Sequence, residues 1–176
     1  MPVINGLETE KLMQVVEHVK GNWEEGRTLW KASAEWKGGF KVETSSRDFT
    51  YQFDEPEMLC GTDTAANPVE VVLQAYGACL AIGYAMNAAV RGIKLDGIHI
   101  ELEGDIDLPG FLGLEAPEDL NMDKLPGYKS VTARVKLKSD ATPEALKELH
   151  EHVVKTSPVG TTLARPVPIN TSLEVV

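Results

Sequence analysis

Two cysteines, Cys60 and Cys79, are the side chains of this chain with the most reactive chemistry on offer. A protein thiol either packs like a small hydrophobe or, as its thiolate, acts as a nucleophile. Cys79 lies in Tyr76-Gly77-Ala78-Cys79-Leu80, in the middle of a long uncharged stretch. Position alone favours packing there; reactivity requires a cation or a base carried by another segment. Other chemistries lack their residues. There is no phosphate loop, no Gly-x-Gly-x-x-Gly after a strand and no Gly-x-Ser-x-Gly turn. His150 and His152 are two apart, so on a helix they diverge by about 200° and do not chelate one metal. They read as exposed helix residues, and His18 and His99 sit on polar faces without an evident partner. No metal and no cofactor are expected.

Composition narrows the field further. A chain of 176 residues with 43% hydrophobic content has enough material for one domain with a sizeable core. The net charge of −10, with 17 scattered Lys and Arg, argues against a nucleic-acid partner. Two cysteines are too few for a disulfide scaffold and fit a reducing compartment. The start, Met1-Pro2-Val3-Ile4-Asn5-Gly6, lacks the basic residues and apolar run of a signal peptide, so the expected location is cytoplasmic. Val71–Val90 contains no charge and has the length of a bilayer span. It also contains Gln74 and Asn87, is rich in Ala and Gly, and is flanked by strand-like alternation. A buried central helix is therefore expected rather than a membrane span.

These residues have to be positioned by the surrounding elements. Leu12, Val15, Val16 and Val19 recur with helical spacing, predicting a helix over residues 5–20. Alternation predicts strands over 30–36, 40–44 and 49–53, joined by tight turns into an antiparallel meander. Asn67, Pro68 and Glu70 form the start signal of the long helix, and Arg91-Gly92 its stop. Ile98, Ile100, Leu102 and Ile106 alternate with acidic residues. Val131, Ala133, Val135 and Leu137 alternate with Arg134, Lys136 and Lys138. The two charge patterns are complementary, so these strands are expected as antiparallel neighbours. The Pro/Gly-rich loop between them, 108–129, has the length of a site-lining loop. Thr142-Pro143 and Ser157-Pro158 open two further helices, and a last strand is expected over 167–175. The all-round apolar helix calls for more cover than one chain of this size supplies, which points to a second subunit.

The run Phe53-Asp54-Glu55-Pro56, then Gly61 to Glu70, then Ala78-Cys79-Leu80, resembles the OsmC/Ohr family. The similarity continues through Arg91-Gly92-Ile93, Gly104-Asp105-Ile106-Asp107 and Ser157-Pro158-Val159. It covers residues 28–176 as a single domain and leaves 1–27 as an N-terminal helical extension. The resemblance implies an α+β fold: an intertwined homodimer whose six-stranded antiparallel sheets wrap around long central helices. It also implies thiol-dependent reduction of organic hydroperoxides, a peroxidase activity in which a thiolate on the central helix attacks the peroxide. Cys79 matches the attacking position. Ser157 stands where the family's second, resolving cysteine belongs, so an external thiol reductant is implied as partner. Val69 stands where a glutamate follows the helix-opening proline in the Ohr branch, with Glu70 one place later and about 100° round the helix. The activating hairpin arginine has no clean match, and Arg47 in the next turn is the substitute. Cys79, Glu70 and Arg47 are thus the candidate catalytic residues. A Cys60–Cys79 disulfide is not expected, because about 16 Å of helix separates Pro68 from Cys79. The alternative reading is a non-catalytic module of the same fold that binds a small apolar ligand at the dimer interface. In a third reading Cys79 is only a core residue.

Overall fold

Asn5-Gly6 is where the chain first departs from its periodicity. Both residues adopt left-handed backbone, φ 54° and 76°. That is the requirement of a type I′ turn, and it joins β1 (Val3–Ile4) to β2 (Leu7–Glu8) as a two-residue hairpin. The helix expected over 5–20 therefore starts later, as α1 (Thr9–Gly21). The Asn5 side chain fastens this extension to the body. Its Oδ1 accepts from Leu95 N at 2.8 Å, and its Nδ2 donates to Ile93 O at 3.0 Å. The computed structural model describes residues 3–115, 117–120 and 125–175.

The meander forms as expected: β3 (Ser33–Gly38), β4 (Lys41–Ser46) and β5 (Phe49–Phe53) pair antiparallel in that order. The long helix α2 (Pro68–Val90) begins with a complete capping box. Asn67 Oδ1 accepts from Glu70 N, and Glu70 Oε2 accepts from Asn67 N, each at 2.9 Å. It ends in a Schellman motif: Gly92 (φ 71°) donates to Ala89 O and Ile93 N to Ala88 O.

β6 (Gly97–Ile106) and β7 (Tyr128–Lys138) pair antiparallel over their whole length. Their opposite charges meet diagonally rather than face to face: Lys136 stands opposite His99 but bonds Glu101, at 3.0 Å, while Arg134 stands opposite Glu101 but bonds Glu103. These bridges are exposed and contribute little stability each. Between the strands lie a single helical turn, α3 (Leu108–Phe111), and a 3₁₀ turn at Glu118–Leu120, with residues 116 and 121–124 of that expected loop outside the described residues.

α4 (Pro143–Thr156) and α5 (Pro158–Ala164) follow. Leu80, Tyr84 and Ala88 of α2 meet Leu149 and Val153 of α4 to form the buried core, flanked by Ile98, Ile100, Val135 and Leu137. The contact is close because Gly83 faces Val153: a Cβ there would come within 3.0 Å of Val153 Cγ1.

The strand expected over 167–175 is not a strand. Among the described residues, 165–175 pair with no strand, and Ile169, Leu173 and Val175 are exposed. A β-strand needs a hydrogen-bonded neighbour; the body's sheets keep outer strands with free edges, yet none of those strands pairs with this segment. Within the single chain the described residues hold sheets of two, three and two strands. α2 is long and apolar enough to cross a membrane by length and composition alone. Its Ile82, Met86 and Val90 are uncovered within the chain.

Candidate functional site

Cys79 is half-buried on the side of α2 that meets the α4–α5 corner. That corner is shaped by Ser157, the one residue between the two helices. Its extended backbone (φ −71°, ψ 115°) makes it the N-cap of α5, and its Oγ accepts from Gly160 N at 3.1 Å. Gly160 has no room for a side chain, since a Cβ would come within 2.9 Å of the Tyr76 ring. The corner is therefore drawn tight against α2 and Ser157 is buried, 4% exposed. The result is a contact of 3.3 Å between Cys79 Sγ and Ser157 Oγ.

The other two candidates lie elsewhere in the chain. Glu70 completes the cap of α2. It is nine residues from Cys79, about 13.5 Å along the axis and half a turn round. Arg47 has left-handed backbone (φ 56°) in the β4–β5 turn, and its guanidinium lies 5.0 Å over the Phe49 ring. Among the described residues, no Lys or Arg of the same chain hydrogen-bonds to Cys79. Cys60 is exposed with left-handed backbone (φ 66°), and both cysteines are free thiols.

On the β6 side of α2 runs an open groove of about 640 Å³. Leu73, Gln74 and Ala81 form one wall and Ile98, Ile100 and Leu102 the other. Gly77 faces Leu102, where a Cβ would come within 2.8 Å of that side chain. Among the described residues no group of three or more His, Cys, Asp and Glu is placed to hold a metal ion.

Two buried polar groups went unread in the sequence. Asp54 is 1% exposed and organises the loop that leads into α2. Its carboxylate accepts from the N–H and hydroxyl of Thr62, the N–H and hydroxyl of Thr64, and Glu55 N. These bonds, the Thr62 hydroxyl foremost, hold its pKa well below the usual carboxylate range. The same loop requires Gly61, where any Cβ would overlap the Glu55 carbonyl. Tyr84 is fully buried and shares a hydrogen bond with His150 Nδ1, so His150 is not merely an exposed helix residue. Burial pushes the Tyr84 phenol up to about 12. The Asp54–Thr62–Thr64 spacing carries no general motif. Tyr84 in the middle of an apolar helix is a signal, since a buried phenol needs a partner.

No curated protein sequence matches the chain. Among solved structures, it is similar to an OsmC-like protein from Mycoplasma pneumoniae at 17% identity and TM-score 0.65, covering 78% of this chain and 88% of that one. It is similar to an organic hydroperoxide resistance protein OsmC from Legionella pneumophila at 19% identity and TM-score 0.56, covering 77% and 89%. A third, an organic hydroperoxide resistance protein from Elizabethkingia anophelis, has 18% identity and TM-score 0.51, covering 77% and 87%. At these identities the likeness establishes the fold. The model of the OsmC-like protein family matches residues 61–172, which include Cys79 and Ser157, and the chain belongs to that family.

Proposed function

We propose that the protein reduces organic hydroperoxides with Cys79 as the attacking thiol, and that an external thiol, not a second cysteine, completes the cycle. The observation that carries this reading is the 3.3 Å contact between Cys79 Sγ and Ser157 Oγ. The residue in the place of the family's second cysteine does face the first, but as a hydroxyl. The names of two similar structures, both organic hydroperoxide resistance proteins, support the substrate class.

The chemistry is simple to balance. The Cys79 thiolate attacks one peroxide oxygen, the O–O bond breaks, and sulfur is oxidised to sulfenic acid while the alkoxide takes a proton and leaves as alcohol. An external thiol then attacks the sulfenic sulfur, releasing water and forming a mixed disulfide. A second thiol frees Cys79.

The working form in this reading is a homodimer in the cytoplasm. Three features support the dimer: the uncovered Ile82–Met86–Val90 side of α2, the unpaired apolar segment 165–175, and the exposed Trp36 and Phe49 of the β3–β5 sheet. Arg47, on that sheet, is assigned the cation's role toward Cys79 of the second copy. Glu70 serves by fixing the start of α2.

The groove beside α2 favours a second reading, a module that holds a small apolar ligand without turnover. Trapping with a sulfenic-acid probe after mild organic hydroperoxide treatment separates the two. Labelling of the Cys79 peptide supports the enzyme; labelling at Cys60 alone removes the assignment.

A further inference from the structure

The cycle above gives Ser157 no task beyond failing to be a cysteine, yet its hydroxyl is buried and aimed. We infer that Ser157 is a catalytic residue of the Cys79 site, donating its hydroxyl proton to the sulfur and stabilising the thiolate that attacks. The chemical role rests on the peroxide-reduction reading; the hydrogen bond does not.

A serine hydroxyl has one proton and two lone pairs. Gly160 N–H, at 3.1 Å, occupies one lone pair. With Cys79 Sγ at 3.3 Å, the sulfur is the acceptor within reach of the proton. In the thiol state either atom can donate. In the thiolate state sulfur has no proton, so the contact survives only as O–H to S⁻. Gly160 N–H polarises the hydroxyl in the same direction, strengthening its donation. A bond to a charged acceptor is worth about twice a neutral one, so the pair favours the anion. The same hydroxyl does not attack sulfenic sulfur, and the oxidised site therefore stays open for the external thiol.

The test uses the full chain in a Cys60→Ser background, where Cys79 is the sole thiol. Iodoacetamide alkylation at pH 7 reads the thiolate without any peroxide, and consumption of an organic hydroperoxide with a dithiol reads turnover. Ser157→Gly removes the donor while keeping a residue that caps helices nearly as well. Ser157→Thr restores both hydroxyl and cap. We expect alkylation about tenfold slower in Ser157→Gly and in Ser157→Ala, and recovery to within about threefold in Ser157→Thr. Equal rates in the serine and glycine proteins overturn the inference. Slower alkylation in Ser157→Gly without peroxide turnover in any protein keeps the hydrogen bond and overturns the peroxide reading. Turnover that requires Cys79 while alkylation ignores Ser157 does the reverse.

Discussion

Tyr84 and His150 are joined by a hydrogen bond that pins the middle of α2 to α4, with the phenol fully buried and the imidazole at the surface. α4 ends at Ser157, so the same docking that buries Tyr84 also presents Ser157 to Cys79.

Tyr84→Phe is expected to cost about 1 kcal/mol, the net worth of one hydrogen bond. Tyr84→Ala leaves a core cavity and should cost about 3–5 kcal/mol. The phenol also has an alkaline signature. Its folded pKa of about 12 lies above the ordinary 10, so its contribution is fully present below pH 10 and is lost as pH rises toward 12. Denaturant midpoints measured from pH 8 to 12 should fall more steeply for wild type than for Tyr84→Phe.

Asp54 has the opposite sign. Its folded pKa is depressed, so its contribution is complete above the ordinary carboxylate value and disappears as pH falls through the folded one. Asp54→Asn should be less stable than wild type at pH 7, and the gap should begin to narrow below about pH 4, so that it is smaller at pH 3 than at pH 7. Thermal melts at pH 7 and pH 3 test this.

Association should depend on the uncovered side of α2. Ile82 is 68% exposed within the chain, and an apolar helix face of that kind is covered in a soluble protein. Light scattering should give a dimeric mass for the wild type and a monomeric mass for Ile82→Asp. A monomeric wild type with native circular dichroism contradicts the dimer.

Ser157→Cys should turn the 3.3 Å contact into a bond. Peroxide treatment is then expected to remove two hydrogens from the intact mass of the mutant and none from the wild type. Loss in the wild type identifies Cys60 as a resolving thiol; no loss in the mutant means that the pair does not meet in solution.

Much of this arrangement was legible from local pattern. Asn67, Pro68 and Glu70 announce the start of α2, and the acidic and basic faces of β6 and β7 announce their pairing, because caps and alternation act within a few residues. The Asn5-Gly6 hairpin was legible too, but the apolar spacing of α1 obscured it. Alternation over 167–175 indicates a segment able to pair; whether it does depends on an available edge, which lies outside local sequence. The five bonds to Asp54 and the meeting of Tyr84 with His150 arise from tertiary packing, across 66 residues in the second case. For the same reason the sequence placed Glu70 and Arg47 beside Cys79 in role only. The structure puts Glu70 on the opposite side of α2 and Arg47 over Phe49.

The most direct test of the central claim is consumption of an organic hydroperoxide by wild type and Cys79→Ser, each supplied with a dithiol. The account predicts catalytic turnover by the wild type and none above background by Cys79→Ser. Equal rates in the two proteins, or no consumption by the wild type, contradict it.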